Sequence, residues 1–554
     1  MMSHIKRHTG VSLSVALLTL GVTIGCDSSS VVSVARLNVH LLDDTMTSSP
    51  RRLPSSGRMM VTPYDVNARK LRPTAEFALS SGVGELPELP IGRWRFMVSG
   101  EGGGFKFFGG TGEFEITDNE ARELHAVVGQ EQCTGLIPTM PVPSGHPYAS
   151  EASPDIPQAS VGSAIAELPN GQVLILGGGG INSTGTLTSV HNRISVYDPE
   201  HGLIFPTGVS LTVPRAYHQA TQLDDGRILV TGGYISVQEG VPQPTASAEL
   251  IELDADGALQ VSTSNLLQVE VARAHHASVK LADGTVLITG GLGANGAPLK
   301  DVTRFYTIDS IFRAQGPMSQ ARAYHAMATI DRSSEPAIII GGMTESGPTD
   351  SIEMFTTRSD NTMCIRPSTQ VGCFIGGGSL EAPRWGHVAI KSTVQSNTVL
   401  IAGGYSAGTQ PQPTALASSL EIFYTKRTTN TQGAEVELPD VKTIGTLSVP
   451  RAHLSGARLH DDTLLLVGGE DLAGNSLSEV TTIQLRSDGV NISPSPNSRC
   501  PLSEARSEPR VISTRDGGAI IMGGRLKGSM QAESGRVELF YPSPPNLMNI
   551  LTVE

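Results

Sequence analysis

The chain is poor in several things that most enzymes of its size carry. Only 5% of its 554 residues are aromatic, and it has two tryptophans and five cysteines. No Lys/Arg cluster with interleaved aromatics occurs, and the net charge is −13, so nucleic acid is excluded as an expected partner. No apolar run reaches the length that spans a bilayer. There is no Gly-x-Ser-x-Gly elbow, no phosphate-binding glycine loop and no His-Glu-x-x-His helix. GGGG at 177–180 is not read as a nucleotide loop, because such a loop needs a helix behind it. What is abundant is glycine (61) and proline (35), which suits many short strands and turns better than long helices.

The N-terminus reads MMSHIKRHTG, then the apolar VSLSVALLTLGVTI, then GCDSSS. A basic start before a short apolar run has the form of a secretory signal. The junction Thr23-Ile24-Gly25-Cys26 resembles a bacterial lipobox, which implies that residues 1–25 are removed and Cys26 is lipidated. Residues 26–33 would then be a tether, and the protein would sit lipid-anchored in the cell envelope. The alternative is ordinary cleavage with Cys26 incidental. Removal of Lys6 and Arg7 leaves 38 basic against 53 acidic side chains, a net −15. Export permits disulfides. Cys364 and Cys373 enclose a short loop and are the expected pair, with Cys133 and Cys500 left over. No cysteine has zinc-ligand spacing with histidine, so no metal or other cofactor is expected.

The dominant signal is a repeat. An apolar run ending in Gly-Gly occurs at 173–178, 228–233, 286–291, 337–342, 399–404, 464–469 and 519–524. An alternating stretch precedes each run, often through a turn such as Asp225-Gly226 or Asp283-Gly284, as in a hairpin. A third strand follows a variable loop: ISVYDP (194–199), AELIEL (248–253), VTRFYT (302–307), SIEMFT (351–356), SLEIFY (419–424), VTTIQL (480–485) and RVELFY (536–541). A fourth, weaker strand is required to complete each unit. Four strands per unit, with a central strand apolar on both faces, describe a propeller blade that is stable only between neighbours.

These residues resemble the kelch repeat. The fuller phrase RAYHQATQLDDGRILVTGG (215–233), echoed as RAHHASVKLADGTVLITGG (273–291), is similar to kelch blades of the galactose oxidase type. The resemblance implies an all-β chain with a seven-bladed kelch propeller over 159–554. Before it lie alternating strands over 34–130, read as a small β-sandwich, and a linker over 131–158. LPELPIGRWRFMVSG within that first segment resembles Ig-like or carboxypeptidase-regulatory sandwiches, and Trp94 is expected in its core.

The repeated arginine stands at Arg215, Arg273, Arg322, Arg384, Arg451 and Arg506, with Ser160 in the first repeat. A histidine follows three residues later at His218, His276, His325 and His387; Leu454 and Pro509 replace it in the last two repeats. A group repeated around a ring solves the same packing problem in each unit, so these are read as structural. Glu249, Glu353, Glu421 and Glu538 are expected ion-pair partners of the arginines.

Function is expected where the repeats differ. Tyr217, His275, Tyr324 and Trp385 follow the arginine by one or two residues, and Tyr234 and Tyr405 follow Gly-Gly. They would either ring one mouth of the channel or pack between blades. The first reading gives a non-catalytic platform for an envelope protein or glycan. The alternative is a carbohydrate-active enzyme or a galactose-oxidase-like copper-radical oxidase using one face.

Overall fold

The computed structural model describes residues 18–19, 35–41, most of 56–136 and most of 161–541. Among them every regular element is a β-strand. The leader apart from Leu18–Thr19, Cys26, Cys364, Cys500, Ser160 and most of the expected linker lie outside the described residues.

From Ala164 to Tyr541 the described strands form seven sheets of four or more strands, one per Gly-Gly repeat, and three two-stranded hairpins. The third sheet shows the plan: Ala277–Lys280, Val286–Thr289, Val302–Tyr306 and Ile311–Ala314, each antiparallel to the next. In every repeat the strand before Gly-Gly is the second of its sheet and is buried throughout. Its residues alternate between two neighbours. Ile338 and Ile340 pack on Val399 and Ile401 of the fifth sheet, while Ala337 and Ile339 pack on Leu287 and Val302 of the third. That is why these runs are apolar without alternation: both faces are covered. The first strand of each sheet touches the first strand of the next, and Arg510–Ser513 of the seventh touches Ala164–Glu167 of the first.

The seventh sheet takes its outermost strand from far away. Cys133–Leu136, at the start of the expected linker, pair antiparallel with Val537–Tyr541. The required fourth strand therefore comes from before the first repeat rather than after the last.

The N-terminal segment forms one nine-stranded sheet, with Ala35–Leu41 parallel to Arg122–Gln130 and Gly92–Gly102 near its middle. Leu18–Thr19 of the leader pair with Arg36 and Leu37. Trp94 is buried, and Met97 packs among Val173, Ile175, Ile520 and Met522, at the junction of the first and seventh sheets.

The repeated phrase works as a stitch. The N–H of the second glycine donates to the carbonyl of the next repeat's arginine: Gly178 to Arg215 at 2.6 Å, Gly233 to Arg273 at 2.8 Å, Gly404 to Arg451 at 2.9 Å. The first glycine lies against the residue three after that arginine. A Cβ on Gly232 would come within 2.8 Å of His276, and one on Gly403 within 2.5 Å of Leu454. The guanidinium reaches back into its own sheet. Arg215 donates to Gly232 O (2.8 Å) and Ser247 O (2.9 Å) and pairs with Glu249 (2.8 Å). Arg322–Glu353 (2.7 Å), Arg384–Glu421 and Arg506–Glu538 (2.6 Å) repeat the pairing, all with arginine side chains fully buried. In the third and sixth repeats the position opposite holds Thr303 and Thr481, and Arg451 donates to the Thr481 hydroxyl at 3.0 Å.

Candidate functional site at the axial ring

Two residues after each arginine the backbone turns left-handed. Gly162, Tyr217, His275, Tyr324, Gly386, His453 and Glu508 all have φ between +52° and +65°. Five of the seven are not glycine, and such backbone costs about 1–3 kcal/mol per residue, which concentrates at functional sites. Neighbour bonds hold the conformation. Six of the seven N–H groups donate to the carbonyl of the preceding member, from Tyr217 N to Gly162 O (2.7 Å) round to Glu508 N to His453 O (2.7 Å). The result is a ring of chemically different side chains on one backbone course.

A second course lies beside it. The residue after each Gly-Gly bridges to the residue before each ring member: Gly179, Tyr234, Leu292, Met343, Tyr405, Glu470 and Arg525. In the first five repeats this position is apolar or aromatic. In the last two it is charged.

The ring encloses a cavity of about 160 Å³, lined by Tyr217, His275, Tyr324, His453, Glu508 and Arg510 and, deeper, by His276, His325 and His387. Tyr217, His275 and Tyr324 are half-buried and stack in sequence, with centroids 4.2 and 4.3 Å apart. The other expected face residues sit differently. Trp385 is 1% and Tyr405 2% exposed, and Tyr234 is also buried. They pack beneath the arc, Trp385 on Tyr405 at 4.8 Å and Tyr234 against Tyr217 at 6.2 Å. Trp385 is one residue out of register, because Gly386 holds its repeat's ring position. His218, His276, His325 and His387 lie under the preceding repeat's first glycine. His276 and His325 also meet the hydroxyls of Thr231 (3.0 Å) and Thr289 (2.7 Å).

The repeats that lost the histidine carry the ionisable cluster. Arg525 donates to Glu470 (2.8 Å) and faces Glu508 (3.7 Å). His453 Nδ1 is 3.3 Å from Glu508, and its Nε2 is 3.9 Å from Glu470, which also accepts from the Tyr405 hydroxyl at 2.7 Å. Arg510 donates to Ser163 O at 2.6 Å. Burial alone would raise the Glu508 carboxyl. Arg525, His453 and Arg510 outweigh it and bring the pKa to about 2. His275 is driven down to about 3 by burial, so at neutral pH it adds no charge to this balance. Burial, then the Glu508 charge, pushes the Tyr217 phenol well above its ordinary value, and burial does the same for Tyr324. Glu508 Oε2 is buried and makes no hydrogen bond within the described residues.

His453, Glu470, Glu508, Arg510 and Arg525 escape a reading that looks for the repeated histidine. The signal for most of them is nonetheless columnar. Lining up the residue two after each arginine and the one after each Gly-Gly exposes Glu508, His453, Glu470 and Arg525 as departures.

No protein-family model matches the chain, and no curated protein does. Among solved structures it is similar to a fungal alcohol oxidase of the AA5 family solved in complex with copper. The TM-score is 0.51 at 13% identity, over 71% of this chain and 76% of that one. The fold is shared with a fungal alcohol oxidase. The solved structure that shares this fold is an enzyme's, which corrects the expectation of a non-catalytic platform.

No group of three or more His, Cys, Asp or Glu able to hold a metal occurs among the described residues. Cys373 is disulfide-bonded in the outer strand Cys373–Ser379. Its expected partner Cys364 lies outside the described residues.

Proposed function

We propose that the chain is an exported enzyme, anchored through Cys26, whose seven-bladed kelch-type propeller carries its reaction centre in the axial ring. The N-terminal nine-stranded sheet, in place of the expected sandwich, holds the propeller off the membrane. The substrate is hydroxyl-rich and carbohydrate-like, and the chemistry is acid–base. One observation carries this reading: Glu508 is the single carboxylate in the ring, held ionised, with one buried oxygen that accepts no hydrogen bond from the described residues, in the lining of a cavity that the protonated phenols of Tyr217 and Tyr324 also line. Environments that push two titratable groups apart in pKa mark the acceptor and the donor. Glu508 accepts from a substrate hydroxyl. Tyr217, protonated beside it, donates to the atom that gains charge. Arg525, bracketed by Glu470 and Glu508, is a positioning residue that keeps Glu508 ionised.

The test is turnover of neutral oligosaccharides by the full chain, followed by product chromatography, against Glu508→Gln and Tyr217→Phe. Loss of about 10²–10⁴-fold in kcat in both variants, with unchanged melting, supports the assignment. Turnover that survives Glu508→Gln overturns it. Release of peroxide on copper loading would instead favour the alcohol-oxidase reading suggested by the shared fold.

A further inference from the structure

We infer that the cavity holds a carboxylate subsite at Arg510, and that the sugar it takes is a hexuronate residue. The inference rests on the ring being the reaction centre, and it adds the charge and the size of what enters. Neutral sugars are then the poorer members of the same substrate class.

Arg510 is where one column breaks. Each innermost strand opens with the residue four after its repeat's arginine, or after Ser160 in the first repeat. Four of these residues are Ala or Val, two are Gln219 and Ser455, and the seventh is Arg510. Gln219, Ser455 and Arg510 are the three that line the cavity. The neighbouring arginines are answered: Arg215, Arg322, Arg384 and Arg506 each meet a buried glutamate, and Arg525 meets Glu470. Arg510 is half-buried and makes no ion pair among the described residues. Its Nε donates to Ser163 O at 2.6 Å, which fixes the plane of the guanidinium. Its two Nη groups donate to nothing among the described residues, and unlike Arg525 Nε they are not sealed off. Glu508, two residues away, faces other partners, His453 at 3.3 Å and Arg525 at 3.7 Å. Burial works to raise the Glu508 carboxyl, and among the charges that pull it down Arg525 leads and Arg510 comes last.

What remains is an open fork of two N–H groups on a fixed plane, the shape that takes a carboxylate by two parallel hydrogen bonds. The charge around the fork sets the valence of the anion. The lining holds one arginine, no lysine and one carboxylate. Burial holds His275 and His325 at about 3, and His276 and His387 well below their ordinary value, so these imidazoles are neutral at neutral pH. One unpaired cation beside an ionised glutamate suits a single negative charge. A phosphate, with about 1.5–2 negative charges at pH 7, would lack a second cation. Glu508 accepts from a hydroxyl of the same molecule, so hydroxyl and carboxylate belong to one hydroxy acid. The volume of about 160 Å³ is below the roughly 300–1,000 Å³ of drug-sized sites, which limits the occupant to about one sugar residue. Gln219 Nε2 is committed to His276 O at 2.9 Å, which leaves the amide oxygen of Gln219 for a further hydroxyl.

Titration calorimetry with Glu508→Gln tests the subsite, because this variant removes the proposed acceptor and keeps Arg510. The probes are glucuronate and galacturonate, free and at the end of a disaccharide, each against its methyl ester, with a hexose phosphate beside them. One acid should bind about 10–100-fold more tightly than its ester, and the advantage should shrink as salt rises from about 0.05 to about 0.5 M. Adding Arg510→Gln should remove the advantage. Arg510→Lys, which keeps the charge without the fork, should retain part of it. Should Arg510→Gln not fold, the ester comparison decides alone. Equal affinity for acid and ester, tighter binding of the hexose phosphate, an advantage that survives Arg510→Gln, or no binding of any probe overturns the subsite. Acid binding in a protein whose wild type turns over neither acidic nor neutral sugars leaves the subsite standing and overturns the acid–base centre. Equal kcat/KM of the wild type for acid and ester leaves the centre standing and overturns the subsite.

Discussion

The buried arginine of each repeat should be a backbone latch more than an electrostatic pair, and Arg215–Glu249 can separate the two. Both side chains are fully buried. Changing Glu249 to Gln leaves a guanidinium without its counter-charge, which costs about 3–5 kcal/mol. Replacing both residues together, Arg215→Met with Glu249→Leu, is where the two ideas diverge. An ordinary buried pair exchanged for apolar side chains comes out near neutral or better. Here Arg215 also donates to Gly232 O at 2.8 Å and Ser247 O at 2.9 Å, while Glu249 accepts from Thr212 N at 2.6 Å and Val213 N at 3.2 Å. Orphaning the two buried carbonyls costs about 1–3 kcal/mol each. The double variant should therefore stay about 2 kcal/mol or more below wild type in urea unfolding followed by circular dichroism. A double variant as stable as wild type would refute the latch, and the conservation of geometry from repeat to repeat would need another cause.

Three further outcomes are expected. Burial depresses His218, His276, His387, His275 and His325, the last two to about 3, so stability is complete above pH 6.5 and declines as pH falls toward 3; melting followed against pH should show this slope, and His276→Gln with His325→Gln should flatten it. Gly403→Ala, at φ +70° with Leu454 and Arg451 O within 2.6 Å of the new Cβ, should lower the melting temperature several-fold more than Gly240→Ala, at φ +80° in open space, which carries the conformational cost alone at about 1 kcal/mol; equal losses would remove the inter-repeat contact from the account. Thr134→Pro breaks the pairing of Cys133–Leu136 with Val537–Tyr541, and hydrogen exchange in the seventh sheet should rise while that in the third stays slow; uniform protection would mean that this strand is dispensable for closure.

The strands were legible because their burial pattern is local. Val286–Thr289 reads as a two-faced apolar strand in any context, and Asp283-Gly284 announces its turn. The arginine was legible as structural because it recurs from repeat to repeat, four times with a glutamate in the third strand of its own repeat. The ring was half legible. Tyr217, His275 and Tyr324 stood out as aromatic departures, whereas Trp385 was placed on the face because an indole beside the arginine looks like its neighbours. Its register is off by one, and in a left-handed turn one residue is the difference between the cavity and the core.

What the sequence determined alone is everything a repeat can encode in itself: seven units, three of their strands, and the recurring arginine with its glutamate partner. Those are short-range or periodic constraints. Tertiary structure decided what depends on closing the ring. Only closure brings Cys133–Leu136 to Val537–Tyr541, hundreds of residues away, and only closure sets Glu508 and Arg510 of the last repeat beside Tyr217 and Ser163 of the first two. An open row of the same repeats would have the same strands and no site.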